Sequence, residues 1–231
     1  MHARRPFEKR TVGAIAAELP GATAVFRKHK LDFCCGGDVA LEKAAQAKGA
    51  PLDEIVGQLE ALDPYAAETP SEPNALIDHI LRRYHDVHRQ ELPELVRLAK
   101  RVEAVHRDHP QVPAGLAAAL GELAAELDTH MRKEEEILFP LMCEGGSSMI
   151  GHPIARMRLE HDDVGEQLRR IEALTHNCEL PDGACTTWHA LYAGVRKLID
   201  DLMQHIHLEN NVLFPQFATE QPATPVCIGH H

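Results

Sequence analysis

Apolar residues recur in alternating steps of three and four along four stretches of the chain, the spacing that lines one face of a helix. The stretch from about 114 to 143 carries Leu116, Leu120, Leu123, Leu127 and Leu141 on its stripe, with Ile137 and Leu138 filling the last turn. That from about 186 to 218 carries Leu191, Val195, Leu198, Leu202 and Val212; that from about 151 to 177 carries Ile154, Met157, Val164, Leu168 and Ile171. The first, from about 74 to 106, is sparser, with Leu81, Leu92, Leu95 and Val102. His109-Pro110, Gly145-Gly146, His152-Pro153 and Pro181 punctuate the gaps. The pattern predicts an all-α protein, an up-and-down four-helix bundle over 74–220. Ahead of it, 1–62 reads as a small domain of short helices broken by Pro20-Gly21, Cys34-Cys35-Gly36-Gly37 and Gly49-Ala50-Pro51. Residues 63–73, with Pro64, Pro70 and Pro73, read as a linker, and 221–231, with Pro222 and Pro225, as a tail expected to fray. About fifty residues bury little on their own, so the N-terminal piece is expected to lean on the bundle or on a second subunit.

Polar residues interrupt these stripes at regular places. His130 and Glu134 fall on the second stripe, His205 and Glu209 on the fourth, His161 on the third and His85 on the first. The second and fourth helices share one phrase, His130-Met-Arg-Lys-Glu134-Glu-Glu-Ile-Leu-Phe139-Pro140 and His205-Ile-His-Leu-Glu209-Asn-Asn-Val-Leu-Phe214-Pro215. Four residues turn a helix through about 400°, so each His and Glu share a face. A His-Asp pair precedes each copy at similar spacing: His85 stands 45 positions before His130, and His161 stands 44 before His205. A lone histidine on an apolar face is more often a hydrogen-bonded core group than a ligand. Six such residues, in duplicate, on the inner faces of four helices are different. Burying unpaired carboxylates costs several kcal/mol each, so two in one core call for a compensating cation.

The donor set narrows that cation to a metal. Without thiolates it argues against structural zinc or an iron–sulfur cluster, while imidazole plus carboxylate suits iron, zinc or manganese. Two carboxylates facing each other across a bundle can bridge two ions about 3.5–4 Å apart. Each ion would then take two histidine nitrogens and two carboxylate oxygens, leaving room for solvent-derived and exogenous ligands.

These motifs, with Phe33-Cys34-Cys35-Gly36-Gly37, Arg83-Tyr84-His85-Asp86-Val87-His88-Arg89, Glu160-His161-Asp162 and Ala184-Cys185-Thr186-Thr187-Trp188, cover nearly the whole chain. It resembles the haemerythrin-like di-iron proteins of the repair-of-iron-centres (RIC) family, in which a small ScdA-like domain precedes the bundle. The resemblance implies two non-haem irons, oxo-bridged when oxidised, ligated by His85, His130, Glu134, His161, His205 and Glu209, with Glu134 and Glu209 bridging. It implies a stress-response role in repairing iron–sulfur clusters damaged by nitrosative or oxidative stress, by supplying iron, removing nitric oxide, or both. Alternatives are a nitric oxide reductase, which needs an electron donor the sequence does not identify, and a buffer that binds nitric oxide or oxygen. The partners expected are nitric oxide or another small diatomic ligand and damaged iron–sulfur proteins.

Charge and cysteine usage sharpen the exclusions. The net charge of −11 without a basic cluster argues against nucleic acid and anionic membranes. No apolar run reaches about 18 residues and none follows the basic N-terminus as a signal would, so a cytoplasmic protein is expected. Cys34, Cys35, Cys143, Cys178, Cys185 and Cys227 show no disulfide framework. Cys178 and Cys185 can face each other across the Leu180-Pro181-Asp182-Gly183 turn, although free thiols are the commoner case. Cys34 and Cys35 form a second candidate site. With a helix expected from about Asp38, its N-terminus would lower their pKa values and let them pass on iron, sulfur or a nitrosyl group. The alternative is that they pack a tight turn. His88, three residues after His85, is expected behind the ligands or in the core, because Val164 takes its place in the second half. Glu126 and Glu160 are candidates to gate access or shuttle protons, with a solvated surface carboxylate the simpler reading of Glu160.

Overall fold

The computed structural model describes residues 6–62, 70–146 and 149–217. Most of the linker (63–69), the tail and Cys227 lie outside them. The described residues are helical, with one isolated bridge between Thr11 and Ala40 and no strand.

Four short helices make the N-terminal part: α1 Val12–Glu18, α2 Ala22–Lys28, α3 Leu41–Lys48 and α4 Leu52–Glu60. Thr11 caps α1 by accepting from the Ala14 amide, and Gly21, at φ 83°, makes the left-handed turn into α2 that a side chain would disfavour. Between α2 and α3 the chain runs through the Cys-Cys-Gly-Gly loop, pinned to α1 where the Gly13 amide donates to Gly37 O at 2.7 Å. The backbones pass so closely that a Cβ on Gly37 would lie 2.8 Å from Phe33 O and 3.1 Å from Gly13 Cα.

The bundle follows. Its first helix is α5 Pro73–Ile80, a π turn at Leu81–His85 and α6 Asp86–Val105; its second is α7 Leu116–Lys133, a π turn at Glu134–Leu138 and α8 Phe139–Cys143. The third is α9 Gly151–Leu174, and the fourth is α10 Thr186–His207, a π turn at Leu208–Leu213 and a final 3-10 turn, Phe214–Phe217. α6 packs against α7 and α10, and α7 against α9. The third helix stops at Leu174, short of the expected 177, because His176, Asn177 and Cys178 all take positive φ.

The π turns correct the expected stripes. In α9, which has none, Ile154, Met157, His161, Val164, Leu168 and Ile171 are all buried as the periodicity requires. In the other three helices Leu81, Leu141 and Val212 are only half-buried, and Ile80, Met142 and Leu213 point inward instead. Ile137, expected inside, is 54% exposed. A π turn inserts one residue, so the stripe slips by one position across it. In the second and fourth helices the Phe139 amide bonds back to Glu134 O and the Phe214 amide to Glu209 O, an i→i+5 step. Pro140 and Pro215 come next, and a proline ring clashes with the carbonyl four residues back in a regular helix, a crowding that the wider turn relieves. The Leu81–His85 turn has no such proline, and nothing in its sequence explains it.

The core is split by a polar layer. One apolar cluster fills the end of the bundle formed by Trp188, Leu120, Leu198 and their neighbours and runs without a break into Val12, Phe26, Phe33 and Ile55 of the N-terminal part. A second, around Leu76, Ile80, Phe139, Ile154 and Phe214, fills the other end. The N-terminal part therefore leans on the bundle, sharing its larger core. No helix among the described residues is long and apolar enough to cross a membrane.

Candidate metal centre

Between the two apolar clusters lie His85, His130, Glu134, His161, His205 and Glu209, all at most 3% exposed. The structure gathers all six into two overlapping groups: His85, Glu134, His205 and Glu209, and His130, Glu134, His161 and Glu209, with the ligand atoms of each group within 4.8 Å of one another. Both carboxylates belong to both groups.

Their oxygens divide between the groups. Glu134 Oε2 lies 3.5 Å from His85 Nε2 while its Oε1 lies 3.3 Å from His130 Nε2. Glu209 Oε1 lies 3.0 Å from His205 Nε2 and its Oε2 3.1 Å from His161 Nε2. The imidazoles aim Nε2 inward in pairs, His85 to His205 at 3.1 Å and His161 to His130 at 3.1 Å. Among the described residues Glu134 Oε1 and Oε2 and Glu209 Oε2 are buried with no well-aligned hydrogen bond, approached only by the imidazole nitrogens. Unpaired carboxylate oxygens in a dry core are what metal ions would satisfy, so the residues fit a pair of ions.

The outer ring nitrogens fix the imidazoles. His85 Nδ1 donates to Glu135 Oε1 at 2.7 Å, and Arg89 holds that carboxylate with bonds of 2.8 and 3.0 Å. His130 Nδ1 donates to Glu160 Oε2 at 3.0 Å, and Lys133 and Arg156 hold its Oε1 at 2.6 and 2.7 Å. His161 Nδ1 donates to Asn210 Oδ1 at 2.9 Å. Protonating Nδ1 leaves the Nε2 lone pair facing inward, where a ligand needs it. His205 Nδ1 has no such partner, and its ring is held by stacking on Tyr84, centroids 5.3 Å apart.

Metal-free, the site carries its compensating charge as protons. Burial pushes His85 and His130 down, but hydrogen bonds and charge from the glutamates outweigh it and raise them to about 10 and about 9. Glu209 is held well below the usual carboxylate range, its own burial being outweighed by His205 and the other imidazoles. His88 differs: burial drives it down to about 2 and neither ring nitrogen has a partner, which keeps it neutral in the core beside His205.

Two expectations change. Glu160 is not a solvated carboxylate; it is 9% exposed and works as the brace of His130. Burial opposes its ionisation, but Lys133, His130 and Arg156 bring it down to about 2. Glu126 is exposed and bonds Gln167, away from the ligands. Sequence reasoning passed over Glu135 and Asn210, although each directly follows the shared glutamate of its copy, and the duplication itself marks them as equivalent.

The cysteine pair lies against this site. Cys35 Sγ donates to His161 O at 3.4 Å, and Cys34 Sγ donates to Cys35 Sγ at 3.8 Å, with no disulfide between them. No helix starts at Asp38; α3 begins at Leu41, and the two cysteine amides donate instead to Asp32 Oδ1 at 3.1 and 3.0 Å. The expected lowering of the thiol pKa does not hold for Cys34. The hydrogen bond that its thiol donates to Cys35 pushes it well up, with burial and the charges of Cys35 and Asp32 adding to the shift. Cys178 and Cys185 are free, bonded to Thr175 and His106 respectively. His207, beside the ligand His205, turns away to Phe33 O. A cavity of about 470 Å³ opens between α1, α2 and α10, lined by Arg27, Arg83 and Asp201. None of the six candidate ligands lines it, although Tyr84, which stacks on His205, does.

Comparison with known proteins agrees with this layout. Residues 76–217 match the hemerythrin HHE cation binding domain, and residues 8–63 match ScdA_N, a domain of unknown function. The chain is 46% identical over 221 residues, 93% of its length and 99% of the relative's, to a probable iron-sulfur cluster repair protein of Haemophilus influenzae. It is 49% identical over 214 residues, covering 91% of the chain and 97% of the relative, to the iron-sulfur cluster repair protein YtfE of Yersinia pseudotuberculosis.

Proposed function

The chain belongs to the hemerythrin HHE cation-binding family, with an ScdA_N domain ahead of the bundle, and on that premise we propose that it is a di-iron protein that repairs damaged iron–sulfur clusters. The observation that carries the reading is the sharing of Glu134 and Glu209 between two buried His/Glu groups. In it, His85 and His205 hold one iron, His130 and His161 the other, and the two glutamates bridge. Iron fits because the set is imidazole and carboxylate, with no thiolate that would favour structural zinc. When bound, such a pair supplies redox chemistry and sites for small diatomic ligands such as nitric oxide.

The residues around the pair do the rest. Glu135, Glu160 and Asn210 keep three imidazoles in their ligating tautomer. The apolar clusters on either side keep bulk water out. Cys34 and Cys35, against the backbone of His161, are placed to receive an iron or sulfur in transit to a damaged client protein. That placement favours delivery over simple storage of nitric oxide or oxygen, which would not need a thiol pair beside the ligands.

Reconstituting a nitric-oxide-damaged iron–sulfur protein with the iron-loaded chain tests the proposal. The wild type should restore the cluster while losing iron of its own, and Cys34→Ser/Cys35→Ser should keep its iron but restore little. Full repair by that variant returns the cysteines to a packing role. Catalytic nitrous oxide formation with a reductant, and no iron loss, replaces delivery with nitric oxide reduction.

A further inference from the structure

The two halves of the bundle repeat the ligands but not what stands behind them. In the first half, Glu135 follows the shared Glu134, and Arg89, four positions beyond His85, clamps Glu135 with both terminal nitrogens. In the second half, Asn210 follows the shared Glu209, and the position four beyond His161 is Gly165. Asn210 Oδ1 still accepts from His161 Nδ1 at 2.9 Å. Among the described residues no cation bonds its side chain; its Nδ2 donates instead to the Cys34 carbonyl at 3.3 Å. Where Arg89 stands in the first half, a Cβ on Gly165 would lie 3.7 Å from Cys35 Sγ, so a side chain longer than alanine would take the space the thiol occupies. Asn211 completes the seat, its Nδ2 donating to Phe33 O at 3.2 Å. The Cys34–Cys35 loop thus occupies, in the second half, the place that arginine holds in the first.

The residue types match this exchange. A carboxylate at position 210 could accept from His161 but would then point its second oxygen at the Cys34 carbonyl, two acceptors face to face. A carboxamide accepts at one end and donates at the other. We propose that Asn210 is a positioning residue that couples the docked Cys34–Cys35 loop to His161, so that the ion held by His130 and His161 is the exchangeable one and the ion held by His85 and His205 is retained. While the loop is seated, Asn210 is held at both ends and fixes the His161 ring. When the loop lifts to meet a client, Asn210 loses its second anchor and His161 its fixed orientation, whereas Glu135 stays clamped by Arg89. Losing the outer partner of a ligating histidine typically costs about 10–100-fold in metal affinity, and loosening that partner, as here, belongs at the lower end of the range. The inference rests on the di-iron reading above and adds which ion moves and what releases it.

The test uses the full-length chain, iron-loaded and metal-free. With a ferrous chelator, Asn210→Asp should release one iron per chain about tenfold or more faster than wild type, with the other unchanged. Alkylation of Cys34, located by peptide mass spectrometry, should quicken about tenfold in the metal-free variant, the population shift expected when a buried contact to the loop is lost. Gly165→Val, which leaves Asn210 in place but crowds Cys35, should accelerate the same single iron. Glu135→Gln should affect the other iron and leave Cys34 alkylation at the wild-type rate. Unchanged alkylation in Asn210→Asp, or both irons leaving equally faster in Asn210→Asp and Gly165→Val, overturns the coupling. If the wild type takes up no iron pair, the functional reading fails, and alkylation of the metal-free variants still decides whether Asn210 seats the loop.

Discussion

Glu134 and Glu209 are fully buried, and among the described residues their ion-pair partners are the four imidazoles. A metal-free chain at neutral pH answers their charge with protons on His85 and His130, raised to about 10 and about 9. Because an imidazole must be neutral to ligate, iron loading near pH 7.5 should release about two protons per chain, and acidification should weaken iron binding. Calorimetric titration in buffers of different ionisation enthalpy measures that release; none at all would mean that the histidines are already neutral. The glutamates should also outrank the histidines. Glu134→Ala should lower iron content below one per chain, whereas His85→Ala should keep about one, because a bridging carboxylate serves both ions and an imidazole serves one. Iron analysis after desalting distinguishes them, and equal retention would remove the bridge. The six inward residues were legible because duplication repeats them on an apolar stripe. Glu160 was misread because periodicity places it beside the stripe without revealing that Lys133 and Arg156, with His130, enclose it.

Three of the four bundle helices carry a π turn that contains one of the six inward residues, at Leu81–His85, Glu134–Leu138 and Leu208–Leu213. A stripe counted at 3.6 residues per turn cannot see an inserted residue. That is why Leu81, Leu141 and Val212 were expected inside while the regular α9 was read correctly. The insertion also sets how Glu134 is aimed relative to the rest of its helix. Ile137 is exposed, so removing it leaves no cavity and takes out the extra residue. Its deletion should press the Pro140 ring on the carbonyl four residues back, straining the turn that carries Glu134, and rotate Phe139 and Met142 out of register with His130 and Glu134 by about 100°. Circular dichroism should remain helical while iron content falls well below two per chain. Retention of both irons would show that the π turn does not set the ligand geometry.

At the scale of the whole molecule, the N-terminal helices and the bundle share one apolar cluster, and the contact is sealed where Asn211 lies against Gly13 and donates to Phe33 O. The two parts should therefore unfold in a single cooperative transition. Gly37→Ala, whose Cβ would press on backbone atoms, should lower stability by about 1–3 kcal/mol in denaturant titration. Two separate transitions would mean that the shared core does not couple the parts. Sequence composition made it legible that so short a domain must lean on something. It could not show that the Cys-Cys loop lands on His161, because that contact runs from the Cys35 thiol to the His161 backbone carbonyl across 126 positions of chain and leaves no periodic trace.

Two ions that share Glu134 and Glu209 in the core of the bundle must be magnetically coupled once both are ferric. Anaerobic titration of the metal-free chain with ferrous iron, followed by oxidation and Mössbauer spectroscopy in a magnetic field, tests it most directly. Two irons per chain should become one spin-coupled ferric pair, with the coupling lost in Glu209→Ala. A single iron at saturation, or two ferric ions that remain magnetically independent, would contradict it.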